Sequence, residues 1–197
     1  MEVGLLYSGG TDSTLAALVL DPVSDVTLLG GTFGVTDDYE HARSAAESVG
    51  FPFERLPLEE AVAREAVETM LADGYPRNGI QRVHEHALER AATRGFDAVA
   101  DGTRRDDRVP TVDHPLAQSI EDRHGVAHLA PLAGVGRGAV DALADRHLTV
   151  ERGPSGSVPK GDYEAELRAL IADEHGSERV ADVFPEHTQS RVTGLQS

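Results

Sequence analysis

Ser8, Gly9, Gly10, Thr11, Asp12 and Ser13 follow one another near the start of the chain. Hydroxyl donors, one carboxylate and a pair of glycines in one short run suit a phosphate. Glycine lets the main chain approach an anion closely, and the N–H groups opening a helix point at it with the positive end of the helix dipole. Asp12 can hold a divalent cation over the same phosphates. A second chemical stretch is Asp101-Gly102-Thr103-Arg104-Arg105-Asp106-Asp107-Arg108. Arginine forks match phosphate or an acyl group being activated; the alternative is a solvated run of charge. Function is favoured because the whole chain has 18 basic residues against 34 acidic ones. Lys160 is the single lysine and reads equally as a phosphate contact or a surface residue. His84 and His86, two apart, do not share a helix face and make no zinc pair, so both are read as neutral or surface histidines.

The elements around these residues alternate. The apolar run Val3, Leu5, Leu6 stops at Gly9-Gly10, and the alanine- and leucine-rich Thr14–Leu20 follows, which predicts strand, tight turn and helix. Asp25–Phe33 predicts a second strand, Asp37 or Asp38 caps a helix to Glu47, and Phe51–Leu58 predicts a third strand, edge-like for its prolines. Helices over Glu59–Leu71 and Ile80–Thr93 lead to a fourth strand, Phe96–Ala100. A helix over His114–His124 precedes a fifth strand candidate, Val126–Leu132, and a helix over Ala139–Arg146 follows the glycines 134, 136 and 138. That glycine series lacks the spacing of a dinucleotide site and reads as a flexible loop. Leu148–Arg152 predicts a short strand, Gly153–Gly161 a loop able to order over a ligand, and Asp162 caps a helix to about Glu174. In the tail, His187 and Arg191 would share a face if helical; it either frays or returns to the rim of the site.

This order predicts an α/β fold, a parallel five-stranded sheet with helices on both faces. Ligands of such sheets sit beyond the carboxyl ends of the strands, where Gly10 and Gly31 both fall. The 197 residues suit a single domain, with 153–197 as a loop-plus-helix extension. No continuous apolar run approaches a membrane span and no signal peptide fits, so a cytoplasmic protein is expected. The absence of cysteine excludes a disulfide, a thiolate metal site and a persulfide carrier on this chain. A net charge of −16 argues against nucleic acid, yet a spread carboxylate excess with almost no lysine also matches adaptation to high salt. At molar salt repulsion reaches only about 3 Å, so an RNA substrate stays open.

The run Ser8-Gly9-Gly10-Thr11-Asp12-Ser13 is neither a Walker A loop nor a dinucleotide turn. It resembles the Ser-Gly-Gly-x-Asp-Ser fingerprint of the PP-loop ATP pyrophosphatase superfamily, and Gly102, Thr103, Asp106 and Asp107 more loosely resemble that family's second nucleotide–metal segment. The resemblance implies a Rossmann-like sheet of the HUP type. It also implies an enzyme that adenylates an acceptor with ATP and Mg2+, releasing pyrophosphate. Ser8 to Ser13, Gly102, Thr103 and Lys160 would then hold the nucleotide, with Gly31, Thr32 and Phe33 flanking adenine through backbone groups. Asp12 with Asp106 or Asp107 would hold the metal, and Asp12, Arg104, Arg105 and Asp107 would carry the chemistry. The favoured acceptor is a tRNA base in a thiolation-like reaction, with a partner protein bringing sulfur or nitrogen and a homodimer possible. Two alternatives stand beside it: an ATPase subunit like that of amide-forming synthetases, and a regulatory protein that binds ATP or AMP without turnover.

Overall fold

The computed structural model describes residues 1–155 and 157–196. Gly156, part of the expected Gly153–Gly161 loop, lies outside the described residues. Strands β1 (Glu2–Leu6), β2 (Asp25–Thr32), β3 (Phe53–Pro57), β4 (Ala98–Ala100) and β5 (Ala127–Leu129) form one sheet in the order β3-β2-β1-β4-β5. Every pairing in it is parallel. The expected α/β architecture is therefore present, and Pro57 sits on an edge strand where a missing N–H is tolerated.

The central strand explains the two-sided core. Side chains alternate along β1, so Val3, Leu5 and Tyr7 enter one apolar layer and Leu6 the other. Helices α1 (Thr11–Leu20), α2 (Tyr39–Val49) and α6 (Arg137–His147) cover the first layer, through Leu15, Ala16, Ala45, Ala46, Val140 and Ala144. The second is covered by α3 (Glu60–Asp73), α4 (Arg77–Ala92), α5 (His114–His124), α7 (Tyr163–His175) and α8 (Ser177–Val183). Met70, Val83, Leu88, Ile120, Leu167 and Val183 are among the side chains they bury. No helix among the described residues is long and apolar enough to cross a membrane.

The largest departure from expectation is at the carboxyl end. Thr188–Leu195 is a strand, β7, pairing antiparallel with β6 (Leu148–Pro154). The helical reading of His187 and Arg191 is corrected accordingly: Thr188, Val192 and Thr193 are β-branched and favour a pleated, half-buried surface. The stretch after residue 153 thus holds α7, α8 and β7, not one loop and one helix. Val192 is buried in the core layer beneath α1 and α2. The break after α3 is also shorter than expected: Gly74, at φ +63°, closes α3 and α4 starts at Arg77.

Candidate functional site

The chain passes from β1 outward to β2 and β3, then returns to the other side of β1 for β4 and β5. The loops leaving β1 and β4 consequently diverge, which opens a crevice at their carboxyl ends. Both chemically rich stretches of the sequence lie there.

The first is the turn between β1 and α1. Gly9 adopts φ +79°, a conformation glycine takes without cost. Gly10 is the N-cap of α1, and no side chain caps that helix. Its carbonyl accepts from the Thr14 N–H at 3.2 Å and the Thr14 hydroxyl at 2.8 Å, fixing the first turn. The first N–H groups of α1 have no partner within the helix, and the helix dipole adds positive potential at that end. Two of the three hydroxyls have protein partners: Ser13 Oγ donates to the Gly10 carbonyl at 3.3 Å, and Thr11 Oγ1 lies 2.9 Å from Ser190 Oγ on β7. Backbone groups and Ser8 are left as the main phosphate donors.

The second stretch touches the first. A Cβ on Gly102 would stand 2.9 Å from the Ser13 nitrogen and 3.1 Å from the Asp12 carbonyl carbon. Only glycine fits against that backbone. Gly102→Ala is expected to displace the turn, costing about 1–3 kcal/mol as overpacking does. Chemical denaturation checks the stability; a wild-type midpoint would remove Gly102 from the account of the turn.

The carboxylates expected to hold a metal gather around the Arg104 guanidinium, with Asp12 3.5 Å and Asp106 4.0 Å from it and Asp107 in direct contact. Asp107 is occupied by Arg104, accepting from its backbone N–H at 2.7 Å and its Nε at 3.0 Å. Asp106 accepts from the Arg137 N–H at 2.9 Å, which caps α6 and holds its carboxyl below the usual range. Among the described residues no group of three or more histidines and carboxylates is placed to hold a metal ion. The expected Asp12–Asp106–Asp107 set is thus corrected: Asp106 and Asp107 are spent on local structure, leaving Asp12. Mg2+ bound to phosphates needs only one or two carboxylates, so Asp12 alone fits that role. Burial pushes the Asp12 carboxyl up, while Arg104, 3.5 Å away, pulls it back.

Lys160 reaches the turn from the other side. Its Cε would lie 3.2 Å from a Cβ on Gly10, and the Gly161 N–H donates to the Ser8 carbonyl at 3.2 Å. Burial would lower the lysine's pKa, but Asp162, at 3.0 Å, with Glu164 and Asp12 raises it, so the ammonium stays charged. Strand β7 completes the enclosure, with the Val192 N–H donating to the Gly9 carbonyl at 2.9 Å.

Gly31, Thr32 and Phe33 are used differently from expectation. A Cβ on Gly31 would meet the Tyr163 ring at 2.8 Å. The Thr32 hydroxyl, at 3.0 Å, and the Phe33 N–H, at 2.8 Å, both donate to Glu166, which also accepts from the Val35 N–H at 2.9 Å. The Thr32 hydroxyl and the Phe33 N–H are thus engaged by α7.

Two buried polar centres were not anticipated. Asp101, 1% exposed, accepts from His128 Nε2 at 2.8 Å and the Thr103 N–H at 2.7 Å, with His84 Nε2 3.9 Å away. His84 is buried, correcting its surface reading, whereas His86 pairs with Glu59 near the surface. Glu166, 2% exposed, is the other. Helical spacing carried both signals. His84 lies four residues from Ile80 and from Leu88, and Glu166 lies three after Tyr163 and four before Leu170, each on its helix's buried stripe.

Fold and site together define a doubly wound α/β protein with a glycine turn at its switch point. The chain belongs to the family of unknown function DUF7411, whose model matches residues 1–194. It is 36% identical to the uncharacterized protein MJ0690 of Methanocaldococcus jannaschii, over all of this chain and 97% of that one. It is also similar to a crystal structure from Methanocaldococcus jannaschii described as a predicted subunit of tRNA methyltransferase. That match has a TM-score of 0.91 and 35% identity, covering 100% of this chain and 98% of the other. These findings overturn the PP-loop ATP pyrophosphatase resemblance and the adenylating, pyrophosphate-releasing enzyme that it implied. The six-residue fingerprint matched a turn geometry, while the comparisons spanning the chain assign a separate family. The catalytic roles of Asp12, Arg104, Arg105 and Asp107 in adenylation fall with it.

Proposed function

We propose that this chain is a nucleotide-binding subunit of an assembly that acts on tRNA, holding ATP or AMP without turning it over. The phosphates would lie on the Gly9–Ser13 turn, between Lys160 and the Gly102 backbone. The observation that carries this reading is the convergence of an uncapped helix N-terminus, a charged lysine and a close-packed glycine at the switch point of the sheet. The tRNA part is supported by the similarity to the predicted subunit of tRNA methyltransferase. In this reading a Mg2+ ion sits on phosphate oxygens with Asp12 as its one carboxylate, and catalytic groups come from a partner protein.

Calorimetry at molar salt with ATP or AMP, with and without Mg2+, tests the nucleotide part; no heat of association with either nucleotide would overturn it. Release of pyrophosphate or phosphate by the isolated chain would overturn the non-catalytic part. Lys160→Met removes the one ammonium at the turn. A hydrogen bond to a charged group contributes about 1.5–3 kcal/mol, so ATP affinity is expected to drop roughly 10- to 100-fold. Unchanged affinity would move the phosphates away from Lys160. Co-purification at native salt followed by sequencing of bound RNA tests the tRNA part.

A further inference from the structure

Beside the phosphate turn, on the α6 side, a cavity of about 440 Å³ is lined by Arg105, Asp106 and the Gly134–Ala139 segment that includes Arg137. The reading of Gly134, Gly136 and Gly138 as a merely flexible loop does not account for it. A Cβ on Gly136 would stand 2.7 Å from an Arg105 guanidinium nitrogen, so glycine here lets that guanidinium lie against the backbone. Gly134 and Gly138 would meet nothing within 4 Å, leaving the cavity wall open.

With 34 acidic residues against 18 basic ones, most arginines lie beside a carboxylate. Among the described residues Arg105, like Arg55, Arg77, Arg108 and Arg146, has no carboxylate in ion-pair contact, and Arg137 has only Asp141, at 3.8 Å. Asp106 also faces the cavity, but its carboxylate is turned onto the Arg137 N–H and occupies the N-terminus of α6. That helix end is therefore satisfied by the protein itself, and the two guanidinium groups are what the cavity offers a ligand. Arg104 joins the cavity to the phosphate turn, contacting Asp106 at 4.0 Å and Asp12 at 3.5 Å.

We propose that Arg105 and Arg137, across the Gly134–Gly138 wall, bind the phosphodiester backbone of the RNA on which the assembly acts. This rests on the tRNA reading above and gives it a surface. Guanidinium forks bind phosphate oxygens bidentately, and backbone contacts fix register without reading sequence. Glycine walls allow a sugar–phosphate strand to approach the main chain. A protein partner would need a large apolar or aromatic anchor, and Val135 is the one sizeable apolar side chain in the lining. The overall charge of −16 does not prevent contact, because at high salt its repulsion is screened within a few ångströms, about 3 Å at 1 M.

The test is fluorescence anisotropy of a labelled tRNA transcript titrated with the full chain over a series of KCl concentrations. Arg105→Gln and Arg137→Gln are compared with Arg146→Gln, which removes the same charge at the far end of α6. Each cavity variant is expected to weaken binding on the order of tenfold and to reduce the magnitude of the log K against log salt slope by roughly 0.7 to 0.9. Arg146→Gln should retain the wild-type slope. Equal effects of all three variants, or none, overturn the inference. So does competition by polyglutamate as effective as by unlabelled tRNA, which would assign the cavity to an acidic protein. So would loss of tRNA binding to inorganic phosphate at millimolar concentration, the mark of a small-anion site. If these outcomes occur while the wild type still binds ATP and tRNA, only the cavity assignment fails. If the wild type binds no tRNA, the tRNA part of the functional reading fails with it.

Discussion

Glu166→Ala is expected to destabilise the protein by about 3–5 kcal/mol, the cost of removing one partner from a buried, charge-assisted network. The Glu166 carboxylate gathers the Thr32 hydroxyl and the Phe33 and Val35 N–H groups, and the Thr36 N–H approaches it at 3.4 Å. It thereby ties α7 to the loop that leaves the carboxyl end of β2. Alanine would leave those donors without the carboxylate beside α7, whose Leu167 and Leu170 belong to the apolar core. For a chain of this size the melting temperature would drop by roughly 6–20 °C, at about 2–4 °C per kcal/mol. Glu166→Gln isolates the charge: its single carbonyl oxygen can satisfy part of the cluster, and its NH2 group faces donors it cannot pair with. The amide should lie between wild type and alanine. Thermal melts in one molar-salt buffer check both, and an alanine variant within 1 kcal/mol of wild type would show that water can replace the carboxylate.

The sheet was legible because its signals are local. Val3, Leu5 and Leu6 form an apolar run ended by glycines, and strand-like and helix-like periods alternate for the next hundred residues. The edge position of β3 was legible from its prolines. What stayed hidden was non-local. Strand β7 forms because β6, some 40 residues earlier in the chain, supplies its hydrogen bonds, as in Val150 opposite Val192. Nothing within Thr188–Leu195 alone announces that partner.

The site divides in the same way. The contact between the Ser8–Ser13 turn and Gly102 was legible, since both follow strands that end at one edge of the sheet. The assignment of individual side chains was not. Asp107 faces Arg104 and Asp106 caps α6, so two carboxylates that composition offers to a metal are already used. Gly31, Thr32 and Phe33 were expected to meet a ligand, but Tyr163 and Glu166 of α7 reach them first. The run Ser8–Ser13 identified a glycine turn that opens a helix. Because such a turn needs only a few residues, it did not identify the family.

Asp101→Asn should have an effect comparable to that of Glu166→Ala and should also change the response to acid. Side chains alternate along β4, so Val99 and Asp101 both face α4, which places the carboxylate between His128 and His84. Burial alone would raise its pKa; hydrogen bonds from His128 and the Thr103 N–H, with the charge of the nearby His84, outweigh this and hold it far below its ordinary value of 3.8. A carboxyl whose folded pKa is depressed contributes stability that is fully present above its unfolded value and disappears as pH falls toward the folded one. Asp101 therefore stabilises the fold above about pH 4, and that contribution shrinks progressively in more acid solution. Asparagine removes the charge opposite two buried imidazoles, at a cost of about 3–5 kcal/mol near neutrality. The difference between wild type and Asp101→Asn should narrow as pH is lowered below 4. Denaturant titrations at a series of pH values measure it, and a constant difference down to pH 2 would show that Asp101 acts through shape and not charge. Gly102 follows directly and packs on Ser13, so the asparagine variant should also loosen the Ser8–Ser13 turn, as Gly102→Ala is expected to do. The buried carboxylate would in this way connect the helix layer behind the sheet to the turn in front of it.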